Sequence, residues 1–192
     1  MTLKRPAGDC DFWRMSWVNG ASFFSKRFPP AFRISQNRGE GIIIHGTRQW
    51  TDYQASGDVM LHLGNYGGFA VRAQGLRRYY GARVTRDGKM QIVRVRDEDT
   101  KVLAETSFNT EFEKPIAMRV AANGDTISFT ADGISLSVVD SSPEALSDGG
   151  VGLLVDVRSM PWSRRHPQFG QEKLARSLEV QGINYAWEGA AL

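Results

Sequence analysis

Between Gly41 and Arg158 the chain is a succession of short segments, apolar or strictly alternating, each closed by turn-forming residues. No amphipathic helical stretch separates them, and this constrains the fold more than any other feature. Gly41-Ile42-Ile43-Ile44-His45-Gly46 reads as a buried strand bounded by glycines. From Thr51 to Leu63 the residues alternate. Tyr53, Ala55, Gly57, Val59 and Leu61 fall on one face, and Asp52, Gln54, Ser56, Asp58, Met60 and His62 on the other. Phe69 to Gln74 alternates again, and Arg77–Thr85 and Lys89–Arg96 flank an Asp87-Gly88 hairpin signal. Further strands are expected at Val102–Phe108, Ile116–Ala122, Thr126–Ala131, Ile134–Val139 and Gly150–Arg158, joined by Asn123-Gly124-Asp125 and Asp132-Gly133.

Many strands at short spacing predict an all-β, antiparallel sandwich; a parallel sheet would need crossover helices for which there is no room. With 192 residues, 41% hydrophobic and 23% charged, the chain can bury a core of one domain. Residues 1–31, carrying Trp13, Trp17, Phe23, Phe24 and Phe28, are expected to form an irregular N-terminal arm packed on the sandwich. Residues 32–192 then form the sandwich, with a long loop at 159–176 before a last strand at Ser177–Gln181. No apolar run approaches the roughly 18 residues of a spanning helix, and no apolar stretch follows the basic start MTLKR. One cysteine, Cys10, excludes an internal disulfide and a cysteine-based zinc site, and a reducing, cytoplasmic setting is expected.

The net charge is +3, from 24 basic and 21 acidic residues, too little to imply a polyanion partner by itself. Its distribution is uneven. From Arg72 to Arg96 eight bases face Asp87 alone, a local excess of 8 − 1 = +7. Tyr79 and Tyr80 lie within that stretch, but adjacent strand residues point to opposite faces, and no nucleic-acid recognition signature accompanies them; nucleic acid is not the expected partner.

The series Gly46-Thr47, Trp50-Thr51-Asp52-Tyr53, Gly68-Phe69-Ala70-Val71-Arg72-Ala73-Gln74-Gly75-Leu76-Arg77-Arg78-Tyr79-Tyr80, Asp132-Gly133 and Gly149-Gly150-Val151-Gly152-Leu153-Leu154 resembles a concanavalin A-like jelly-roll sandwich. More closely, it resembles the β-sandwich domain found C-terminal to the catalytic domain in some bacterial ADP-ribosylglycohydrolase-family proteins. The likeness runs from about Arg14 to Val180, with Met160–Lys173 standing as an insertion. It implies a sugar-recognition or accessory role beside a catalytic domain or partner, and not the glycohydrolase activity, which belongs to a separate helical domain.

The residues themselves offer little catalytic chemistry. Glycoside hydrolysis needs two carboxylates across the scissile bond. Asp52 and Asp58 share a face, but six strand residues put them roughly 20 Å apart, too far for either stereochemical course. His45, His62 and His166 have no nucleophile elbow nearby, and Asp9 and Asp11 beside Cys10 work against a reactive thiol. Asp132, Asp140 and Asp148 occupy turns, where the aspartate is explained by turn formation; calcium is only weakly signalled and no cofactor is expected.

What remains is a polar sheet face. If Phe69, Val71 and Ala73 point to the core, then Arg72 and Gln74 point outward. If Tyr80, Ala82 and Val84 are core, then Tyr79 and Arg83 point outward. With Gln54 and Ser56 these form a candidate ligand-binding face of amide, guanidinium, hydroxyl and phenol groups. Planar donors bridge sugar hydroxyls and arginines favour an anionic glycan or the pyrophosphate of an ADP-ribose-like ligand. Trp50 and Trp162 are candidate stacking aromatics. The expectation is a non-catalytic carbohydrate- or ADP-ribose-recognition domain. A sugar-processing hydrolase or lyase, and a structural module docking through its N-terminal aromatics, stand as alternatives.

Overall fold

The computed structural model describes residues 17–155, apart from positions 22, 29, 30, 37, 38, 63 and 112. Cys10, Trp13, Trp162, His166, the loop at 159–176 and the expected last strand lie outside the described residues. The described chain belongs to the first of two compact units, Met1–Val157.

Among the described residues there is no helix, and so none long and apolar enough to cross a membrane. The strands are β1 (Val18–Gly20), β2 (Phe23–Phe28), β3 (Ala31–Ser35), β4 (Gly41–His45), β5 (Tyr53–Met60), β6 (Tyr66–Gly75) and β7 (Arg78–Thr85). They continue as β8 (Lys89–Arg96), β9 (Asp99–Ser107), β10 (Pro115–Asn123), β11 (Thr126–Ala131), β12 (Ile134–Val139) and β13 (Gly150–Val155). A seven-stranded sheet runs β1-β4-β13-β6-β7-β8-β9 and a four-stranded sheet β12-β11-β10-β5, both antiparallel throughout; β2 and β3 pair as a separate hairpin. This is the expected jelly-roll sandwich. Part of the segment expected as an irregular arm is strand, and β1 joins the larger sheet through Val18–Ile44 to Gly20–Ile42 pairing.

Alternation explains the layers. Along β10 and β11, Ile116, Met118, Val120, Ile127 and Phe129 are buried while their neighbours turn away. They meet Phe69, Val71, Tyr80, Ala82, Val84, Met90 and Ile92 of the larger sheet in one inter-sheet core. Each of the Val, Ile, Phe and Met side chains removed from water contributes about 1.5–3 kcal/mol. The β11–β12 turn needs two residues in the left-handed region, and Asp132 (φ 43°) with Gly133 (φ 85°) supplies them.

The larger sheet departs from simple alternation at Arg72. Val71 pairs with Tyr80 but Gly75 pairs with Arg78, so β6 carries extra residues in a bulge. Arg72 sits in it at φ 51°, a left-handed conformation that costs a non-glycine residue about 1–2 kcal/mol. The bulge reverses the facing of the residues beyond it. Phe69 and Val71 are inward as expected, but Ala73 joins a second buried cluster with Ile42, Ile44, Ala70, Tyr79, Val93, Val95 and Leu154. Gly149 is the counterpart: a Cβ there would lie 2.4 Å from the Arg72 carbonyl carbon, so only glycine admits this approach.

Candidate functional site

The six residues expected on one open face do not share one. Gln54 and Ser56 lie on β5, in the four-stranded sheet; Arg72, Gln74, Tyr79 and Arg83 lie on β6 and β7, in the other. Arg72 is 4% exposed and Tyr79 0%, so neither presents its side chain to solvent. The bulge turns the Arg72 guanidinium inward, and Tyr79 is enclosed by the second apolar cluster. Gln74 donates to the backbone and carboxylate oxygens of Asp148, at 3.2 and 3.1 Å, and Asp148 also meets Arg48. Arg83 lies 4.1 Å over the Tyr66 ring and donates from Nε to Gln91 at 2.9 Å. Gln91 in turn bonds Glu105, whose carboxylate pairs with Lys89 at 2.9 Å. That row across β7, β8 and β9 is a cross-strand ladder whose groups satisfy one another.

Arg72 instead organises the surroundings of a cavity. Its Nη1 donates to the Leu146 carbonyl (2.8 Å), Nη2 to the Gly124 carbonyl (2.6 Å) and the Asp52 carboxylate (3.4 Å), and Nε to the Thr51 carbonyl (3.3 Å). Its backbone N–H donates to the Tyr53 hydroxyl at 2.6 Å. The Tyr53 hydroxyl faces the carbonyls of Gly150 and Gly149, at 2.7 and 2.9 Å, as proton donor. Burial pushes the Tyr53 phenol up to about 12, against the lowering effect of the Arg72 N–H and charge, so it stays neutral through the physiological range.

Above this framework lies a cavity of about 400 Å³ lined by Gln49, Trp50, Thr51, Asp52, Tyr53, Gln54, Ala55 and Val151. It opens where β5, the edge of the four-stranded sheet, faces β13 of the other. Trp50 forms its aromatic wall, held edge-on to Tyr53 (centroids 5.6 Å apart) and to His45 (5.9 Å), with Trp17 on the far side of His45 at 5.1 Å. The turn before it is fixed by the Gln49 N–H donating to the Thr47 hydroxyl, and Gly149 N–H donates to the Trp50 carbonyl at 3.0 Å. Asp52 keeps its side chain 55% exposed while Oδ1 accepts from Arg72 and from the Gly124 N–H at 2.9 Å.

The cavity lining thus brings together the Trp50 indole, the side chains of Gln49, Thr51 and Gln54, and one oriented carboxylate. Asp52 is the single carboxylate among the lining residues, one short of what glycoside hydrolysis requires. Gln54 is the one residue of the expected set that lines it. Trp50 was identifiable as a loop aromatic, whereas the sequence presents Asp52 only as half of a carboxylate pair with Asp58, set aside for its distance. No group of three or more His, Cys, Asp or Glu that could hold a metal occurs among the described residues. The Asp140 carboxylate is taken by Arg94 (2.8 Å), Tyr80 (2.7 Å) and Ser142 (2.7 Å).

Comparisons with solved structures show the fold as a jelly-roll β-sandwich of the kind seen in a carbohydrate-binding module and in a protein with a galectin-like fold. The solved structure "Carbohydrate binding module CBM66 from Bacillus subtilis" matches at TM-score 0.65 and 17% identity, covering 81% of this chain and 90% of that one. A protein of unknown function with galectin-like fold, also from Bacillus subtilis, matches at TM-score 0.55 and 8% identity (75% and 84%). "Crh5 transglycosylase in complex with NAG" matches at 0.51 and 10% identity (92% and 73%). At these identities the likeness is one of fold. No curated protein matches the sequence. The family model "Domain of unknown function DUF488" matches residues 139–191, a minority of the chain. Nothing in these matches connects the chain with ADP-ribosylglycohydrolase-family proteins.

Proposed function

We propose that this chain is a carbohydrate-recognition module that takes a saccharide in the Trp50–Gln54 cavity. The observation that carries the reading is the pairing, in one concave site, of the Trp50 ring with the amides of Gln49 and Gln54, the Thr51 hydroxyl and the oriented Asp52 carboxylate. A pyranose has an apolar face that an indole covers and a ring of hydroxyls that amides and carboxylates bind in pairs. The likeness in fold to a carbohydrate-binding module supports the reading. Binding without turnover fits the lone carboxylate, and the module would then serve a catalytic domain or partner by holding it to its substrate. An ADP-ribose-like ligand fits the cavity less well, because its pyrophosphate would meet Asp52 and, among the lining residues, no cation.

The test is a thermal-shift screen with neutral sugars, acidic sugars, ADP-ribose and calcium. A ligand at 100 times its dissociation constant stabilises by about 2.7 kcal/mol. A saccharide hit lost on Trp50→Ala, with affinity down at least about ten-fold (about 1.4 kcal/mol), is the expected result. Stabilisation by ADP-ribose alone, or a saccharide hit that Trp50→Ala leaves intact, would overturn it.

A further inference from the structure

Gln54 belongs to two surfaces. It lines the cavity, and it also sits on the outward side of β5, because Ala55 points into the core. From there the outer face of the four-stranded sheet continues as two registered rows. Gln54, Ala121, Ser128 and Ser137 lie opposite one another across β5, β10, β11 and β12; so do Ser56, Arg119, Thr130 and Ser135. The hydroxyls are paired along the rows, Ser128 with Ser137 at 3.3 Å and Thr130 with Ser135 at 3.1 Å. Arg119 is different. It is exposed at the centre of this face, and its side chain makes no ion pair or hydrogen bond with any other described residue. Asp58, in the next row along β5, lies opposite Ala117; like Gln54 it is a diagonal neighbour of Arg119, but the two form no ion pair. Four other sheet arginines are engaged: Arg72 by three carbonyls, Arg83 by Tyr66 and Gln91, Arg94 by Asp140, Arg78 by Asp97. The side chain of Arg96, half-buried at the end of β8, has no hydrogen bond among the described residues but lies in the field of the Asp97 carboxylate.

Resting on the recognition reading of the cavity, we infer that the ligand is a saccharide chain bearing carboxylate or sulfate groups. One sugar occupies the Trp50 cavity, and the chain runs over Gln54 so that Arg119 receives the anionic group of a following sugar. Gln54 and Arg119 are diagonal neighbours on adjacent strands, about 7–8 Å apart at the backbone, within reach of successive units of one chain. A guanidinium with free donors takes a carboxylate or sulfate in a two-pronged contact. The surrounding Ser56, Thr130 and Ser135 are short enough to leave it accessible and supply further hydroxyl contacts.

An array of immobilised carboxylated, sulfated and neutral glycans, probed with the full chain, tests this. Wild type is expected to bind acidic chains best, carboxylated and sulfated spots showing which anion is preferred. Arg119→Ala should lose about five-fold on those spots and leave neutral glycans unchanged, while Trp50→Ala should lose both. An unchanged melting temperature shows Arg119→Ala to be folded, as expected for an exposed site. Equal binding of acidic chains by wild type and Arg119→Ala, or a wild-type preference for neutral chains, would overturn the inference and leave the recognition reading standing. Failure of wild type to bind any glycan would overturn both.

Discussion

Replacing Arg72 removes the group on which four acceptors from three segments converge. In Arg72→Ala the Leu146 carbonyl, fully enclosed, is left without a donor at a cost of about 1–3 kcal/mol. The Thr51 and Gly124 carbonyls and Asp52 are part-buried and regain water, losing about 0.5 kcal/mol each. The alanine also keeps the left-handed backbone imposed by the bulge against Gly149. The expected loss is about 3 kcal/mol, which for a chain of this size lowers Tm by roughly 6–12 °C. Arg72→Gly forfeits the same hydrogen bonds but relieves the backbone penalty, so it should be about 1 kcal/mol more stable than the alanine variant. Arg72→Lys recovers little, since one ammonium cannot span acceptors on the Thr51, Gly124 and Leu146 segments. Urea denaturation followed by tryptophan fluorescence and far-ultraviolet circular dichroism measures all three, a constant m value showing that the end states are unchanged. A loss under 1 kcal/mol for the alanine variant, or a glycine variant less stable than alanine, would refute the assignment of Arg72 as a structural hub.

Tyr79→Phe should be neutral or stabilising by up to about 1 kcal/mol, because the Tyr79 hydroxyl is buried with no hydrogen-bond partner among the described residues; a loss above 1 kcal/mol in the same denaturation assay would reveal a partner for that hydroxyl. Asp140 supplies the pH dependence. Burial alone would raise its pKa, but hydrogen bonds from Ser142, Tyr80 and Arg94 outweigh it and hold the carboxyl down to about 2 from 3.8. Its depressed folded value contributes about 2 kcal/mol that is present above pH 4 and is lost as pH falls through 2. Acid titration of Tm should be shallower between pH 4 and 2 in Asp140→Asn than in wild type, and parallel curves would remove Asp140 as the source.

Most strand spans were legible because a half-buried antiparallel strand writes its facing into a period of two. Lys89–Arg96, Thr126–Ala131 and Ile134–Val139 occupy the spans that their alternation predicts. The candidate face was not legible, for two physical reasons. Alternation assigns each residue a side of its own strand but not the sheet to which that strand belongs, so Gln54 and Ser56 were joined to Arg72 and Arg83 across a core. A bulge also breaks the period without a sequence mark when the left-handed residue is an arginine rather than a glycine. The signal was indirect: Gly149, more than seventy residues away, is the glycine whose missing Cβ lets the backbone pass against the Arg72 bulge. Arg119 was passed over inside a strand whose apolar positions drew attention, although the same alternation that buries Met118 and Val120 turns Arg119 outward.

On the proposed recognition reading, the bulge bears on ligand binding as well as on stability. A flexible aspartate beside a cavity would have to be ordered when ligand arrives, and each such side chain costs about 0.5–1.5 kcal/mol of binding free energy. Asp52 is ordered before ligand arrives, held by the Arg72 guanidinium and the Gly124 N–H while over half its side chain remains exposed. Tyr53, which Trp50 meets edge-on, is anchored to Gly149, Gly150 and the Arg72 N–H, so the aromatic wall shares that rigid base. The buried arginine that the sequence offered as a ligand contact is therefore better placed as the fixed support of one. In the inferred mode of binding, the anion falls to Arg119, which is exposed on the outer sheet face and free of internal acceptors among the described residues.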